Sequence, residues 1–392
     1  MPRPNRLAKL LACAVILASG ALTACGDGSD SSGSDSSSGS DTTGAAAGTS
    51  SADALETAYK GVTAAPPTEA AAPSTGLVWV VSCGQSVETC ATPANSAVEA
   101  AETAGFEGKV CDGKLNPQGW SECIRQGISA QAVGIVVIGQ DCASFSAALE
   151  EAKAANIPTI GSGGNDCDVS GGEKLFAATQ QQMPDMTNQE WWESMGALQA
   201  DWLIGKTDGK AQVLALKFTD AMWGGWMYDG LTKELETCSG CEVVETLELG
   251  NQDVASGQLT QKFSTALLKQ PSANAVAVPL DGWFFAGLAQ AVKSSGRNDD
   301  LQVVGTFGEP GNMQFIAQNG GEDASVGFSA EWSGWAGVDT LIRVLDSQEP
   351  QPAGVGLQVI DADNNMPEGD ARFSYNPVID FKAAYKTAWG VS

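Results

Sequence analysis

The chain has 392 residues, with 47 acidic side chains, 21 basic side chains and no histidine, which gives a formal net charge of −26 at neutral pH. This acidic balance argues against a nucleic-acid partner, because binding to phosphates depends on clusters of lysine and arginine. The absence of histidine excludes Ser-His-Asp and Cys-His catalysis and the common zinc catalytic sites.

The start of the chain has the layout of a secretory signal peptide. Basic side chains precede an apolar stretch, residues 10–22, which is too short to span the core of a bilayer. The sequence LTAC at 22–25 resembles the lipobox of bacterial lipoproteins. This resemblance implies that residues 1–24 are a signal peptide and that Cys25 carries lipid. The alternative is an ordinary signal peptide with an incidental cysteine.

Residues 25–75 are predicted to comprise the lipidated cysteine and a disordered tether. The stretch is rich in serine, glycine, aspartate, threonine and alanine, so it buries too little apolar surface to offset the entropy of ordering. Its composition permits one short helical turn at 52–59. The folded part is therefore expected to begin near Gly76, close to the outer face of a membrane.

Eight cysteines remain after Cys13, which lies in the signal peptide, and Cys25. An even number in an exported chain indicates disulfides. Pairing between nearest neighbours in sequence predicts Cys83–Cys90, Cys111–Cys123, Cys142–Cys167 and Cys238–Cys241. A zinc site and a redox-active pair are the alternatives for Cys238 and Cys241. A structural zinc site needs four ligands, and the sequence has no second close Cys-x-x-Cys, so no metal site is predicted.

From Leu77 onward, short β-branched runs alternate with amphipathic helical segments, which is typical of βαβ units in a parallel sheet. A first series predicts strands at 77–82, 108–113, 134–139 and 157–163. A second series predicts strands at 212–218, 241–249, 273–280 and 301–307. The two series predict an α/β fold of two doubly wound parallel-sheet lobes.

The order of these units and several phrases resemble the type I periplasmic binding proteins, in particular the ribose and galactose receptors of ABC importers. The phrases are EEAKAANIPTIG, GIVVIG, ANAVAVPLDGWFFAGLAQAVKSSGRNDDLQVVGTFGEP and ASVGFSAEWSGWAGVDTLIRVLDSQEP. The resemblance implies an N-terminal lobe of residues 76–178 and 330–360 and a C-terminal lobe of residues 179–329 and 361–392. It also implies a three-segment hinge, with crossings near Thr179, near Ala330 and toward the C-terminus, that closes over one small solute.

Ligands of doubly wound sheets bind beyond the carboxyl ends of the strands, so polar and aromatic side chains at those ends are the candidate ligand contacts. They are Gln85, Asp141, Ser162, Asp220, Trp223, Asp281, Trp283, Glu309, Glu331 and Trp332. The resemblance carries over most directly to Asp281, Glu309 and Glu331. Where ribose receptors have an Asp-Arg pair after the fourth strand, this chain has Gly161-Ser162-Gly163, so its pocket departs from theirs.

Carboxylates accept hydrogen bonds from hydroxyl groups, and indole rings stack on sugar rings. The predicted function is therefore the extracytoplasmic receptor of an ABC importer for a sugar or polyol. An organic cation or aromatic solute is an alternative, because aromatic rings near acids also bind ammonium groups. A sensor partner of a membrane signalling receptor is another. The expected partners are the solute and an ABC permease, and we expect a monomer with no cofactor and no enzymatic activity.

Overall fold

The computed structural model describes residues 50–368 and 378–392. The predicted signal peptide, Cys25 and the predicted tether up to residue 49 lie outside the described residues. The strands are β1 Leu77–Ser82, β2 Glu107–Asp112, β3 Gly134–Ile138, β4 Thr159–Ser162, β5 Ala178–Thr179, β6 Gln212–Phe218, β7 Glu242–Leu249, β8 Ala275–Ala277, β9 Gln302–Phe307, β10 Ala324–Gly327 and β11 Gln358–Asp361.

The α-helices are α1 Ser51–Lys60, α2 Glu88–Thr103, α3 Pro117–Ser129, α4 Ser146–Ala154, α5 Asn188–Lys206, α6 Met222–Leu235, α7 Asn251–Ala255, α8 Leu259–Lys269, α9 Ala289–Ser294, α10 Pro310–Ala317, α11 Ala330–Leu345 and α12 Phe381–Trp389. None of the helices in the described ranges has both the length and the apolar content that a membrane span requires.

The strands form two separate sheets, which confirms the prediction of two α/β lobes. The first sheet has the order β2-β1-β3-β4-β5, and all of its strands are parallel. The second has the order β7-β6-β8-β9-β10-β11, in which only β11 is antiparallel to its neighbour. The two central strands β3 and β8 are buried along their whole length, because helices cover both faces of each sheet.

The first lobe consists of the first sheet with helices that include α2 and α11, and the second lobe of the second sheet with helices that include α5 and α6. In the first lobe, α2 and α11 pack closely, because Gly334 of α11 lies against the Pro93 carbonyl oxygen of α2, where a Cβ would collide. In the second lobe, the buried Gln199 of α5 donates a hydrogen bond to the Val278 carbonyl oxygen beside β8, at 2.9 Å.

Three crossings of the chain between the lobes lie at the places that the resemblance implied: between β5 and α5, between β10 and α11, and between α11 and β11. The crossings contact one another, since the Ala353 backbone amide donates to the Gln181 carbonyl oxygen at 2.9 Å and the Val355 amide donates to that of Gln182 at 2.9 Å. Paired crossing segments of this kind form a hinge.

The lobe boundaries predicted near the C-terminus are wrong in two places. Residues 358–360, assigned to the N-terminal lobe as part of 330–360, belong to β11 of the second sheet. Helix α12, assigned to the C-terminal lobe as part of 361–392, packs on α11 of the first lobe. There Phe381 stacks flat on Trp332, and the Trp389 indole donates to Asp339 at 2.8 Å. Burial of its aromatic face explains this placement.

The predicted tether is also too long, because residues 50–75 belong to the folded protein. Helix α1 packs on α5 of the second lobe and buries Ala54 and Ala58 completely. Val62 then pairs with Leu357 of the third crossing, and the Glu69 carbonyl oxygen accepts a hydrogen bond from Arg343 of α11 at 2.9 Å. The small alanine side chains explain the error, since their low bulk suggested disorder but allows close helix packing.

All four predicted disulfides are present, and three of them lie in the first lobe: Cys83–Cys90, Cys111–Cys123 and Cys142–Cys167. The fourth, Cys238–Cys241, follows α6. Because Cys238 and Cys241 are bonded to each other, neither sulfur is available to zinc.

We expect the double variant Cys142→Ala/Cys167→Ala to lower the free energy of unfolding by about 3 kcal/mol, because this bond closes the longest of the four loops, 25 residues. Chemical denaturation without reductant measures the effect. The variant Cys238→Ala/Cys241→Ala, which opens a loop of 3 residues, is the matched control and should cost less. An equal or larger cost for the control would contradict the chain-entropy explanation.

Candidate functional site

The two lobes face each other with the carboxyl ends of their strands, and we call the gap between those ends the cleft. Asp141, which follows β3, accepts a hydrogen bond through Oδ2 from the backbone amide of Met222, the first residue of α6, at 3.1 Å. On the other side of the cleft, Glu309 after β9 lies beside Thr89 in the first turn of α2. These two contacts connect the lobes across the cleft.

The larger cavity of the cleft has a volume of about 680 Å³, which is within the usual range for small-molecule sites. Its lining comes from the first lobe, the first crossing, and helices α5 and α6, and it includes Asn165, Asp166, Gln180, Asn188, Glu190 and Trp226. Asn165 donates to Asp141 Oδ1 at 2.9 Å, and Trp226 lies one helical turn beyond Met222. The cavity thus adjoins the contact between Asp141 and α6.

Two residues that line this larger cavity each carry a buried acceptor atom without a hydrogen-bond donor from the described residues: Oδ2 of Asp166 and Oδ1 of Asn188. Asp166 is 5% exposed. Its other oxygen is satisfied by the backbone amides of Cys167, Leu175 and Phe176, at 2.8–3.1 Å. Because buried acceptors are normally paired, both atoms are suited to a ligand that brings donors.

The smaller cavity has a volume of about 40 Å³ and shares no lining residue with the larger one. Three segments line it: the start of α2 with Glu88, the end of β9 with Phe307 and Glu309, and the second crossing with Phe328 and Glu331. The pKa of Glu309 is raised to about 8, first by burial and then by the charges of Asp281 and Glu88, against an opposing effect of hydrogen bonds from Thr89.

An aromatic cluster of the second lobe joins the two cavities. Trp223 stacks between Phe218 and Trp192, with ring centroids 4.9 and 5.0 Å away, and Phe307 lies 6.1 Å from Trp192 and from Trp223 and 5.2 Å from Phe328. Helices α5 and α6 carry Trp192 and Trp223 and also supply Asn188 and Trp226 to the larger cavity.

Asp281 lies behind the cleft, where its carboxyl group and that of Glu322 form a buried pair. It is 0% exposed, and its oxygens accept from the backbone amides of Thr306, Gly308 and Glu309 at 2.8, 2.9 and 3.1 Å. Burial nevertheless raises the pKa of Asp281 to about 7, and burial together with the Asp281 charge raises that of Glu322 well above its usual value. In this conformation, Asp281 holds the loop after β9.

The structure brings together only some of the ten predicted site residues. Glu309 and Glu331 line the smaller cavity, and Asp141 joins the lobes beside the larger one. Gln85 lies half-buried in the loop after β1, and the Ser162 hydroxyl donates to Gln180 at 2.6 Å behind the larger cavity.

The remaining predicted residues make contacts within their own lobes. The Asp220 carboxylate accepts from the Asn251 backbone amide at 2.7 Å, and Trp283 packs edge-on against Phe218. Trp332 is buried under Phe381. Sequence analysis did not identify five residues that line the larger cavity: Asn165, Asp166, Gln180, Asn188 and Trp226. The first two directly follow Gly161–Gly164, the end of a predicted strand, so their position in the sequence was a usable signal.

Comparison with known proteins gives the family. The model of the periplasmic binding protein domain family matches residues 79–349. A search of curated protein sequences found no match.

Solved structures with the same fold include the 5-methylthioribose transporter solute-binding protein from Thermotoga lettingae: 16% identity, TM-score 0.62, covering 82% of this chain and 99% of that one. GanP, a glucose-galactose binding protein from Geobacillus stearothermophilus, is 18% identical, with a TM-score of 0.61, and the match covers 74% of this chain and 98% of GanP. The periplasmic binding protein component of the arabinose ABC transporter from Shewanella sp. ANA-3 is 20% identical, with a TM-score of 0.60, and the match covers 73% of this chain and 92% of that one.

The family match extends over most of both lobes, and the fold of these binding proteins recurs in the two facing sheets. The chain therefore belongs to the periplasmic binding protein domain family, and it is a solute-binding protein and not an enzyme.

Proposed function

We propose that this protein is the extracytoplasmic receptor of an ABC importer, anchored through lipid on Cys25, and that it captures a sugar or polyol by closing its hinge. The larger cavity carries the proposal: about 680 Å³ between the lobes, with the free acceptors Asp166 Oδ2 and Asn188 Oδ1 in its lining. Hydroxyl groups would supply the missing donors, and the Trp226 indole offers an apolar face for a sugar ring.

The neighbours named above support this class of solute, because they are described as binding arabinose, 5-methylthioribose and glucose or galactose. An organic cation or an aromatic solute is the alternative for the same cleft. The expected partner is a membrane permease, with the receptor acting as a monomer, and a sensor role would replace the permease by a signalling receptor.

Closure of the hinge is the working step of this mechanism. The hydrogen bond from Met222 to Asp141 and the contact between Thr89 and Glu309 join the lobes, so opening of the cleft breaks both. A solute that touches both lobes favours the closed form only by the difference between its affinities for the closed and open forms. The closed form is then the one that the permease recognises.

Thermal unfolding with a panel of sugars, polyols, amines and aromatic compounds tests the proposal. A solute at 100 times its Kd should stabilise the protein by about 2.7 kcal/mol. We expect sugars or polyols to raise the Tm and Trp226→Ala to weaken their binding at least tenfold, because it removes the ring from the larger cavity.

Leu268→Ala is the control for this variant, since Leu268 is 83% exposed on α8 and outside the lining of both cavities. Its solute affinity should equal that of the wild type. If only aromatic compounds raise the Tm, the solute is an aromatic compound and the sugar proposal is wrong. Equal affinities of the Trp226 variant and the wild type would remove the larger cavity from the binding site.

A further inference from the structure

The smaller cavity differs from the larger one in size and in having no basic side chain in its described lining, whereas Lys174 lines the larger one. Its volume of about 40 Å³ is close to the share of one water molecule in the liquid, about 30 Å³. A sugar ring cannot enter in this conformation, so the occupant is a single head group or a small ion.

Glu309 supplies an independent sign that a group is missing here. Its side chain is 8% exposed, and its Oε1 has no hydrogen-bond donor in the described part of the chain. The backbone amide of Glu309 is used by Asp281 at 3.1 Å, and Thr89 faces the carboxyl group from the first lobe. Because an unpaired buried carboxyl oxygen is costly, the Glu309 Oε1 atom is suited to a donor from a ligand.

The charges around the cavity select the sign of that ligand. Glu88 and Glu331 also line the cavity, and its described lining has neither lysine nor arginine. The nearest cation, Lys382, lies 3.5 Å from Glu331 but 2.8 Å from Glu99, outside the cavity. An anion would be repelled by the charges of Glu88 and Glu331, whereas a cation would be attracted by them and by Glu309 once Glu309 has lost its proton.

Two phenyl rings add an ammonium-binding surface. Phe307 and Phe328 both line the cavity, with centroids 5.2 Å apart and planes tilted by 56°. Phe307 has a φ of 83°, which a bulky residue adopts only when its surroundings impose it, often at functional sites. Aromatic faces beside carboxylates hold ammonium groups, because the ring quadrupole attracts a cation.

We propose that the smaller cavity binds a protonated amino group of the captured solute, with Glu309 as the acceptor and Phe307 and Phe328 as the flanking rings. The solute is then an amine-bearing sugar or polyol rather than a neutral one. This inference rests on the proposed function, since the rest of the solute occupies the cleft. The same chemistry also fits a free ammonium ion, which the experiment distinguishes.

Calorimetric titration with a matched pair of solutes tests the inference. Sorbitol and 1-amino-1-deoxysorbitol differ only in one hydroxyl group and one amino group, and ammonium chloride alone serves as the third ligand. We expect the amine to bind at least tenfold more tightly than sorbitol, and ammonium chloride to bind much more weakly than the amine. Equal affinity for the pair would overturn the inference and leave the proposed function standing, as would binding of neither by a protein that still binds a neutral sugar of the thermal-unfolding panel. Stabilisation by no sugar or polyol of that panel, amine-bearing or neutral, would overturn both.

The variant Glu309→Gln should reduce the preference for the amine to less than threefold. Glu150→Gln, an exposed glutamate of α4, is the matched control and should keep the full preference. An unchanged preference in Glu309→Gln would overturn the inference, as would ammonium chloride binding as tightly as the amine.

The pH dependence of the wild type gives a second readout that needs no variant. The pKa of Glu309 is raised to about 8, so Glu309 must lose a proton before it can pair with an ammonium group. The charged groups that face it are Glu88, Asp281 and Glu331, with Lys382 beyond Glu331. The affinity for the amine should rise several-fold from pH 6 to pH 8, while that for sorbitol stays level. A flat profile for the amine would overturn the role of Glu309.

Discussion

The protein is expected to unfold at a higher temperature at pH 5 than at pH 8. Burial raises the pKa of Asp201 and Asp281 to about 7, of Glu309 to about 8 and of Asp323 to about 6, and raises that of Glu322 well above its usual value. Between about pH 4 and pH 8 the unfolded chain has lost these protons while the folded protein keeps them, so stability falls as pH rises.

The size of this fall follows from the number of groups involved. One pKa unit corresponds to about 1.4 kcal/mol, so five raised carboxyl groups together make a difference on the order of several kcal/mol. At lower pH the trend reverses. Although burial alone would raise the pKa of Asp361, hydrogen bonds from Tyr59, Asn364 and Trp202 lower it, and this stabilisation is lost as Asp361 gains a proton. Maximum stability is therefore expected near pH 5.

The variant Glu322→Gln isolates one of these groups. Its amide has the shape of the protonated acid and donates a hydrogen bond toward Asp281 at any pH, so the fall in Tm from pH 5 to pH 8 should be smaller than in the wild type. Scanning calorimetry at closely spaced pH values measures both profiles, and Glu150→Gln serves as the exposed control. A Tm that rises steadily from pH 5 to pH 8 would contradict the expectation.

A chain that begins at Gly76 should be less stable by several kcal/mol than one that begins at Gly48. The shorter chain lacks α1, so the face of α5 that Ala54 and Ala58 cover becomes exposed, and each buried CH2-sized apolar group contributes about 0.8 kcal/mol. It also lacks Glu69, whose carbonyl oxygen accepts from the buried guanidinium of Arg343. An unpaired buried donor adds about 1–3 kcal/mol to the loss.

Urea denaturation of the two chains measures this difference. Both contain the whole segment that the family model matches, residues 79–349, so the comparison isolates residues 48–75. The single variant Tyr59→Phe provides a smaller step, because it removes only the hydrogen bond from the Tyr59 hydroxyl to Asp361 at 2.6 Å. Equal stability of the Gly48 and Gly76 chains would mean that α1 does not contribute to the fold.

Residues 50–75 also bear on hinge motion. Helix α1 lies on the second lobe, whereas Glu69 contacts Arg343 of the first lobe, and Val62 between them pairs with Leu357 of the third crossing. The segment thus spans the hinge beside the other crossings. Any opening of the cleft must therefore move this segment as well. The segment lies before residue 79, where the family match begins.

Local patterns were sufficient for the two lobes and their disulfides. Strands β1 and β6 have the predicted bounds, because short apolar runs bounded by turn residues are typical of buried strands. The cysteines pair with their nearest neighbours in sequence, since short loops keep those sulfur atoms close in space. The order of βα units also identified the family, because this order is itself the topology of a doubly wound sheet.

Side-chain direction at the strand ends could not be read from the sequence. Asp281 directly follows the strand predicted at 273–280, as a ligand contact would, yet its carboxylate turns inward and accepts hydrogen bonds from three backbone amides at the end of β9 and in the loop after it. The larger cavity depends on Asn165 from one lobe and Trp226 from the other, which lie 61 residues apart in sequence.

The sequence by itself determined the alternation of strands and helices, the pairing of cysteines and the family, because each depends on neighbouring residues. Only the tertiary structure decided that residues 50–75 are folded, that α12 covers the first lobe, and which polar groups line the cleft. These features arise from contacts between distant segments, where burial and the pairing of each polar atom act together.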